Sequence, residues 1–192
     1  MAAKGAIKPV YQLAKETGWN LDPKIYIPAV RGYYSEGDNM ISMPLNSSTP
    51  MMYYNIDAFK KAGLDPAKPP KTWTEVRAAA KKLVDSGATK CGFTFEWPTW
   101  TQLENFSALH NVPLATKSNG ILGMDAELKF NSDLHIRHLQ TLMDMQKEGS
   151  FKYGGRDGAA TVLFPSGECG IIHASSAARA RIKNESKFEW GV

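Results

Sequence analysis

The chain lacks the long apolar runs and the leader that mark membrane and secreted proteins. No stretch approaches the roughly 20 apolar residues needed to cross a bilayer. The start, "MAAKGAIKPVYQLAKETGWN", has no apolar block of the length found in signal peptides. We therefore expect a soluble chain that carries no leader peptide of its own.

Clustered charge of one sign is also missing. Lys and Arg total 23 against 19 Asp and Glu, which gives a net charge of +4, and the two signs alternate along the chain without a basic block. A nucleic-acid-binding surface usually needs a concentrated basic patch. The charge pattern therefore predicts a mild preference for anionic ligands and no nucleic-acid partner.

Catalytic signatures are absent as well. The sequence has no phosphate loop, no nucleophile elbow, no Gly-x-Gly-x-x-Gly and no His-Glu-x-x-His. His135 and His138 share a predicted helical face, but without a third ligand they are predicted to be surface residues and not a metal site. A carbohydrate-processing enzyme that pairs Glu96 with Glu104 is the enzymatic alternative, although Glu104 is better explained as a helix cap. We expect no catalytic residue, no cofactor and no metal.

Cysteine is scarce, and the two that occur leave two interpretations open. Cys91 and Cys169 each precede a strand-like run. Neighbouring strands would bring them within bonding distance, but two buried apolar thiols fit the same sequence.

What is present is the composition of a globular domain, 43% hydrophobic and 22% charged, with helical and strand patterns in alternation. Thr72 and Glu75 form a capping box at the start of one predicted helix, and Thr101 and Glu104 repeat that spacing. Helices are predicted at 7–18, 55–63, 72–87, 101–110, 132–149 and 175–185, and strands at 50–55, 91–96, 167–174 and 187–192. The segment 40–45 is predicted to be extended, as an edge or a crossing segment, because of its proline. The alternation predicts an α/β fold with a largely parallel sheet.

In an open α/β sheet, ligands bind beyond the carboxyl ends of the strands. Three such ends are polar: "NSST" at 46–49, "EWPTW" at 96–100 and "HASSAARA" at 173–180. At the third, free backbone N–H groups, a helix dipole and the Ser175 and Ser176 hydroxyls would attract an anion. An ordinary serine N-cap explains the same residues.

The second end places two tryptophans beside a carboxylate. The rings of Trp97 and Trp100 would stack on the C–H faces of a sugar or polyol while Glu96 accepts its hydroxyls. Pro98 breaks regular structure between the rings, which favours one of them facing a cleft. Both could instead belong to the core.

The segment "YYNIDAFKKAGLDPAKPPKTWTEVRAAAKKL" resembles the part that opens the second lobe of ABC-transporter extracellular solute-binding proteins of the maltose-binding type. Four further motifs follow the order found in the glycerol-3-phosphate-binding members of that family. They are "PLNSSTPMMYYN", the Trp-x-x-Trp-x-Gln-Leu-Glu-Asn-Phe-Ser run at 97–107, "YGGRDG" and "SGECGIIHASSAA". The resemblance covers essentially the whole chain.

The resemblance implies a type II periplasmic-binding-protein-like fold and a non-enzymatic periplasmic receptor that delivers its ligand to a membrane permease. Residues 1–48 would be a partial first-lobe segment with the interlobe crossing, and residues 49–192 a second lobe that is incomplete at its C-terminus. The chain would be an internal fragment of such a receptor. We expect weak or undetectable binding from the fragment alone, because one lobe supplies about half of the contacts.

The ligand implied by the resemblance is glycerol 3-phosphate or a glycerophosphodiester, held between the lobes. Ser48 and Ser175 would contact it, with Ser176 beside them and with Trp97 and Trp100 walling the glycerol side.

The chain departs from the glycerol-3-phosphate receptors at two turns. Thr99 and Ala177 stand where those receptors tend to carry a glycine, and Ala178 stands where they tend to carry a serine hydroxyl. The upstream tyrosine and acid that hold the glycerol, and the downstream arginine used against phosphate, have no counterpart here. A neutral sugar or oligosaccharide receptor of the same fold is therefore the alternative.

Overall fold

The computed structural model describes residues 5–192, in which one compact unit ends at Ser48 and a second runs from Thr49 to Val192. The first unit contains α1 (Val10–Thr17), a 3-10 turn (Pro23–Ile25), α2 (Pro28–Tyr33), and the antiparallel strands β1 (Ser35–Glu36) and β2 (Asn39–Met40). Gly18 ends α1 in left-handed backbone, as its sequence position predicts. Of the predicted extended segment at 40–45, Met40 ends a strand and residues 41–45 are irregular.

The second unit follows the predicted order of helices and strands. It contains β3 (Pro50–Asn55), α3 (Ile56–Lys61), α4 (Trp73–Asp85), β4 (Cys91–Phe95), a π-helix (Thr99–Glu104), α5 (Asn105–Leu109), the short turn α6 (Thr116–Asn119), α7 (Asp133–Lys147), a 3-10 helix (Ala159–Leu163), β5 (Cys169–Ser175), α8 (Ala178–Glu185) and β6 (Trp190–Gly191). Within residues 5–192, no helix is both long and apolar enough to cross a membrane.

Side-chain caps start two of these helices where the sequence predicts them. The Asn55 side chain accepts the Ala58 N–H at 2.8 Å and caps α3. At α4, the Glu75 N–H donates to the Thr72 hydroxyl oxygen, and the Glu75 carboxylate accepts the Thr72 N–H in return. Both caps satisfy amides that a helix start leaves without partners.

The second predicted capping box is wrong. Thr101 and Glu104 lie inside the π-helix, and the Thr101 hydroxyl donates to the Glu96 carbonyl oxygen at 2.8 Å. A threonine can bond backwards to a carbonyl as readily as it caps a following amide. Spacing alone does not distinguish these two uses.

The four strands of the second unit form one mixed sheet in the order β4-β5-β3-β6. Only β4 and β5 run parallel, and β3 is antiparallel to both β5 and β6. The predicted largely parallel sheet is therefore wrong. The neighbours of β3 are far away in sequence, and local patterns carry no information about the direction in which distant strands pair.

Helices cover both faces of this sheet. Tyr54 faces the core formed with α3, α4 and α7, whereas Tyr53 faces the core formed with α8, because successive strand residues point to opposite faces. On the first face, α4 packs directly onto the backbone of β4 at Gly92. A Cβ there would lie 2.1 Å from the Ala80 carbonyl oxygen, so only glycine fits.

A disulfide joins Cys91 at the start of β4 to Cys169 at the start of β5. The two residues are register partners in the parallel pair, and both are buried. The structure thus decides between the two interpretations that the sequence leaves open.

The prediction that His135 and His138 lie on the surface is wrong. Their exposed fractions are 1% and 5%, because this face of α7 packs onto α5 and the π-helix. His135 bonds to the Ser107 and Ser132 hydroxyls at 2.8 and 2.7 Å, and His138 stacks on Phe106. Polar partners inside the core allow these histidines to be buried.

Candidate ligand-binding site at the tips of two parallel strands

The parallel strands β4 and β5 end side by side, and polar residues follow both ends. The Glu96 N–H donates to the His173 carbonyl oxygen at 3.1 Å, which extends the strand pairing by one residue. We call Glu96–Trp97 and Ser175–Ser176 the strand tips. Four of the five predicted ligand-contact residues lie at these tips or, in the case of Trp100, on the π-helix that follows.

Glu96 is turned into the protein. It is only 3% exposed, its Oε1 accepts the Ser175 N–H at 2.7 Å, and its Oε2 accepts the Thr161 hydroxyl. The prediction that this carboxylate accepts ligand hydroxyls is wrong, because both of its oxygens already bind protein donors. Glu104, its proposed enzymatic partner, is exposed on the π-helix, so the two carboxyl groups have unlike surroundings.

The backbone amides at the second tip are occupied as well. The Ser175 N–H binds Glu96, the Ser176 N–H donates to the Thr49 carbonyl oxygen at 2.8 Å, and the Ala177 N–H donates to the Ser175 hydroxyl oxygen at 3.1 Å. The predicted anion site made of free amides at Ser175 and Ser176 is therefore wrong. The charge closest to these amides is the negative Glu96.

The two serine hydroxyls donate to no protein group in the described part of the chain, with Ser175 only 8% exposed and Ser176 half-buried. The Ser175 hydroxyl oxygen accepts from Ala177, and that of Ser176 accepts from the Thr49 N–H at 3.3 Å. Neither hydroxyl donates a hydrogen bond within residues 5–192. A serine hydroxyl can accept and donate at the same time, so each tip serine keeps a proton that no described protein group accepts.

Trp97 presents an exposed ring at the first strand tip. Its backbone is left-handed, with φ of 50°, and the side chain is 45% exposed. The conformation is held because the Trp97 N–H donates to the Asp157 carbonyl oxygen at 2.7 Å and the Trp97 carbonyl oxygen accepts the Thr101 N–H at 2.9 Å. Trp100 is half-buried within the π-helix.

Tyr53 is hydrogen-bonded to the backbone of the serine tip, a contact that the sequence does not reveal. Its hydroxyl donates to the Ser175 carbonyl oxygen at 3.1 Å. Burial raises the pKa of Tyr53, and the negative charge of Glu96 raises it further, so the phenol stays a neutral donor. The alternation of "MMYYN" indicates only that Tyr53 and Tyr54 face opposite sides of the sheet.

The positive charges that follow the tip differ in their partners. Arg181 is bound to Glu185 along α8, with Nε 2.9 Å from each carboxylate oxygen. Arg179 is exposed and forms no ion pair within residues 5–192, and its charge lowers the pKa of Tyr53. Arg179 therefore lacks the acidic partner that Arg181 has.

A chain of buried polar groups runs beneath the first tip. Gln102 accepts from His138 Nε2 through Oε1 at 3.1 Å and donates through Nε2 to His173 Nδ1, also at 3.1 Å. Burial lowers the pKa of each of these histidines to about 4, so both are neutral near pH 7. Within residues 5–192, no three metal-ligating side chains are grouped for a metal ion.

A cavity of about 450 Å³ opens on the α4 side of the sheet, next to His173. Its walls are mainly apolar and include Met52, Trp73 and Phe93. None of the five predicted ligand-contact residues lines it. Four of those five residues lie instead at the strand tips and on the π-helix that follows, and we take the strand tips as the candidate site.

Ser48, the fifth predicted contact residue, is the last residue of the first unit. It is exposed and lies in an irregular segment. Its role as a ligand contact stays a prediction.

Three known proteins illustrate what the chain is similar to. The sn-glycerol-3-phosphate-binding periplasmic protein UgpB of Brucella abortus (strain 2308) is 52% identical over 177 residues, covering 92% of this chain and 41% of that protein. UgpB from Mycobacterium tuberculosis, solved in complex with glycerophosphocholine, has a TM-score of 0.78 at 20% identity, covering 99% of this chain and 47% of that one. The substrate-binding protein Lmo0181 from Listeria monocytogenes, solved in complex with cycloalternan, has a TM-score of 0.75 at 21% identity, covering 100% of this chain and 48% of that one.

The chain spans about two fifths of the length of the curated relative from Brucella abortus. At 20–21% identity, the two solved structures show the fold alone, which is that of the type II periplasmic binding proteins. The family of bacterial extracellular solute-binding proteins matches residues 1–191. The chain therefore belongs to the bacterial extracellular solute-binding proteins.

Proposed function

We propose that the chain is part of the substrate-binding component of an ABC uptake transporter, and that its ligand is glycerol 3-phosphate or a glycerophosphodiester. The observation that carries the proposal is the pairing of two serine hydroxyls that donate to no protein group with an exposed indole at adjacent strand tips. Hydroxyl donors suit phosphate or alcohol oxygens, and an indole face suits the C–H groups of glycerol. The relatives named as glycerol-3-phosphate-binding proteins support this ligand class.

Four side chains of the second unit contact the ligand in this proposal. Ser175 and Ser176 donate hydrogen bonds to its oxygens, while Trp97 and Trp100 cover its carbon face. Ser48 adds a further donor from the end of the first unit. Binding is non-catalytic, since the buried Glu96 carboxylate is engaged by protein donors and does not face a ligand.

The partners and the location follow from the same proposal. The ligand-loaded receptor delivers its cargo to a membrane permease, as expected of an extracellular solute-binding protein. The periplasm is the proposed location, which the name of the Brucella relative supports.

A neutral sugar or oligosaccharide is the second candidate ligand. It is favoured by the buried Glu96 carboxylate, which lies one hydrogen bond from Ser175 and opposes a second negative charge there. The exposed Arg179 acts in the opposite direction.

Calorimetric titration of the full-length polypeptide that the gene encodes separates the two candidates. We expect heat with glycerol 3-phosphate or glycerophosphocholine and none with maltose. Heat with maltose and none with either phosphate ligand would overturn the proposed ligand class. Titration of the 192-residue chain alone should give weak or undetectable binding, and a submicromolar Kd for it would contradict a site that needs further contacts.

A further inference from the structure

We propose that Glu96 is the positioning residue of this site: its buried carboxylate fixes the Ser175 tip and the loop beneath Trp97 in one arrangement. The inference rests on the proposed function, because it concerns the same strand tips. It assigns Glu96 no contact with the ligand. Its role is to fix the positions of two proposed ligand contacts, Ser175 and Trp97, relative to each other.

The first contact that Glu96 fixes is Ser175. Glu96 Oε1 accepts the Ser175 N–H at 2.7 Å, and Tyr53 holds the Ser175 carbonyl oxygen from the other side at 3.1 Å. With its amide and carbonyl both held, the residue has little freedom in its backbone. The Ser175 hydroxyl, which also accepts from Ala177, is thereby aimed in one direction.

The second contact that Glu96 fixes is Trp97, through the segment 157–161. The Thr161 hydroxyl donates to Glu96 Oε2, and the Asp157 carbonyl oxygen accepts the Trp97 N–H at 2.7 Å. The indole lies over this segment, since a Cβ on Gly158 would be 3.8 Å from Trp97 Nε1. Releasing Thr161 would therefore loosen the support on which the Trp97 ring rests.

A carboxylate suits this position because it accepts at two oxygens and donates nothing. A buried charge is costly unless donors satisfy it, and Glu96 has one donor from each of the two segments that it joins. Removing the side chain leaves the Ser175 amide and the Thr161 hydroxyl without this partner. A glutamine keeps the length, accepts from Ser175, and can donate to the Thr161 oxygen while Thr161 donates to Gly158.

The experiment compares Glu96→Ala and Glu96→Gln in the full-length polypeptide, with glycerol 3-phosphate as the calorimetric probe. We expect Glu96→Ala to weaken binding by about tenfold or more, as for an interaction worth about 1.4 kcal/mol. Glu96→Gln should recover most of that loss. Thr89→Val is the control, because Thr89 is also buried and its side chain also bonds a strand backbone, at the Cys91 carbonyl oxygen, but at the opposite end of β4. The control should lower the melting temperature without changing affinity.

A double-mutant cycle with Ser175→Ala distinguishes positioning from general destabilisation. If Glu96 acts through Ser175, its removal should cost much less affinity once the Ser175 hydroxyl is gone. Fully additive losses, or a Glu96→Ala variant that melts earlier but binds with unchanged affinity, would overturn the proposal.

Hydrogen exchange of the Ser175 amide tests the positioning role of Glu96 without ligand, and so independently of the proposed ligand class. Without ligand, the Ser175 amide should be protected in the wild type and in Glu96→Gln, and should exchange faster in Glu96→Ala. Absence of glycerol 3-phosphate binding in the wild type would refute the ligand class, while the exchange rates would still decide whether Glu96 fixes the tip. Equal exchange in all three proteins would refute the positioning role whatever the ligand.

Discussion

The two ends of the β4–β5 pair are built in opposite ways. At the start, Cys91 and Cys169 are joined covalently and packed against the apolar residues Ala160 and Leu163. At the finish, a buried carboxylate joins the strands through a hydrogen bond to Ser175. The same two strands are thus fixed by a bond at one end and by a polar network at the other.

The two ends also differ in the polar groups that they offer to a ligand. The disulfide end offers a ligand no free donor among the buried groups of that cluster. The tip end carries left-handed backbone at Trp97 and two hydroxyls that donate to no protein group in residues 5–192. Left-handed backbone at a tryptophan costs stability, and such conformations persist only where surrounding contacts enforce them.

Removing the disulfide should produce the largest change in stability. The double variant Cys91→Ala with Cys169→Ala should lose about 2–5 kcal/mol of unfolding free energy, because the bond closes a loop with a sequence separation of 78 residues. Urea unfolding with and without reductant measures this loss. Reductant should lower the wild-type midpoint and leave that of the double variant unchanged.

The disulfide variant also tests whether the two ends are independent. Ligand affinity should stay within about threefold of the wild type, since effects at separated sites rarely couple strongly. A tenfold loss of affinity would mean that the start of the strands controls the geometry of their tips.

Acid should lower the stability of the protein through His138 and His173, the two histidines that bond to Gln102. His138 and His173 have pKa values lowered to about 4 by burial, against 6.5 when unperturbed. As the pH falls, the unfolded chain takes up protons first, so stability is complete above about pH 6.5 and declines toward pH 4. At pH 5, each histidine should cost roughly 2 kcal/mol relative to pH 7.5.

The variant His138→Gln measures how much of the acid-induced loss of stability comes from His138, because glutamine can still donate to Gln102 but does not titrate. Urea unfolding of both proteins at pH 7.5 and pH 5 should show a smaller acid loss in the variant, by roughly the share of one histidine. Equal losses in the two proteins would mean that His138 does not control the acid response.

Removing the Trp97 ring should change binding with only a moderate loss of stability. Trp97 is 45% exposed and its ring lies over Gly158, so Trp97→Ala should lower the unfolding free energy by about 1–2 kcal/mol. Affinity for glycerol 3-phosphate should fall about tenfold, as for an aromatic contact at the centre of a binding site. Trp19→Ala is the control, because Trp19 is 52% exposed but belongs to the first unit. If both variants bind equally well, Trp97 is not a ligand contact.

The parts of the fold that the sequence predicts are those decided within a few residues. The Asn55 cap, the capping box of Thr72 with Glu75, and the strand at 50–55 each depend on neighbouring side chains and on a local period. The same local reasoning fails at Thr101, whose hydroxyl finds a backward carbonyl partner instead of a forward amide.

The candidate site was predictable only in its composition. Polar residues at strand ends indicate where to look, and Trp97 and Ser175 do lie at adjacent tips. Their hydrogen-bond states were not predictable, because the partners of Ser175 and Ser176 are Glu96 and Thr49, which are distant in sequence. For the same reason, Glu96 looked like a ligand contact and proves to be buried.

By itself, the sequence determined the alternation of helices and strands, the helix starts and the polar character of the strand ends, because short-range spacing and side-chain chemistry set them. Tertiary structure alone decided the mixed direction of the sheet, the bond between Cys91 and Cys169, and the burial of His138 and Glu96. Each of these depends on which distant segments meet. A charged or polar side chain enters the interior only when a remote donor or acceptor satisfies it there.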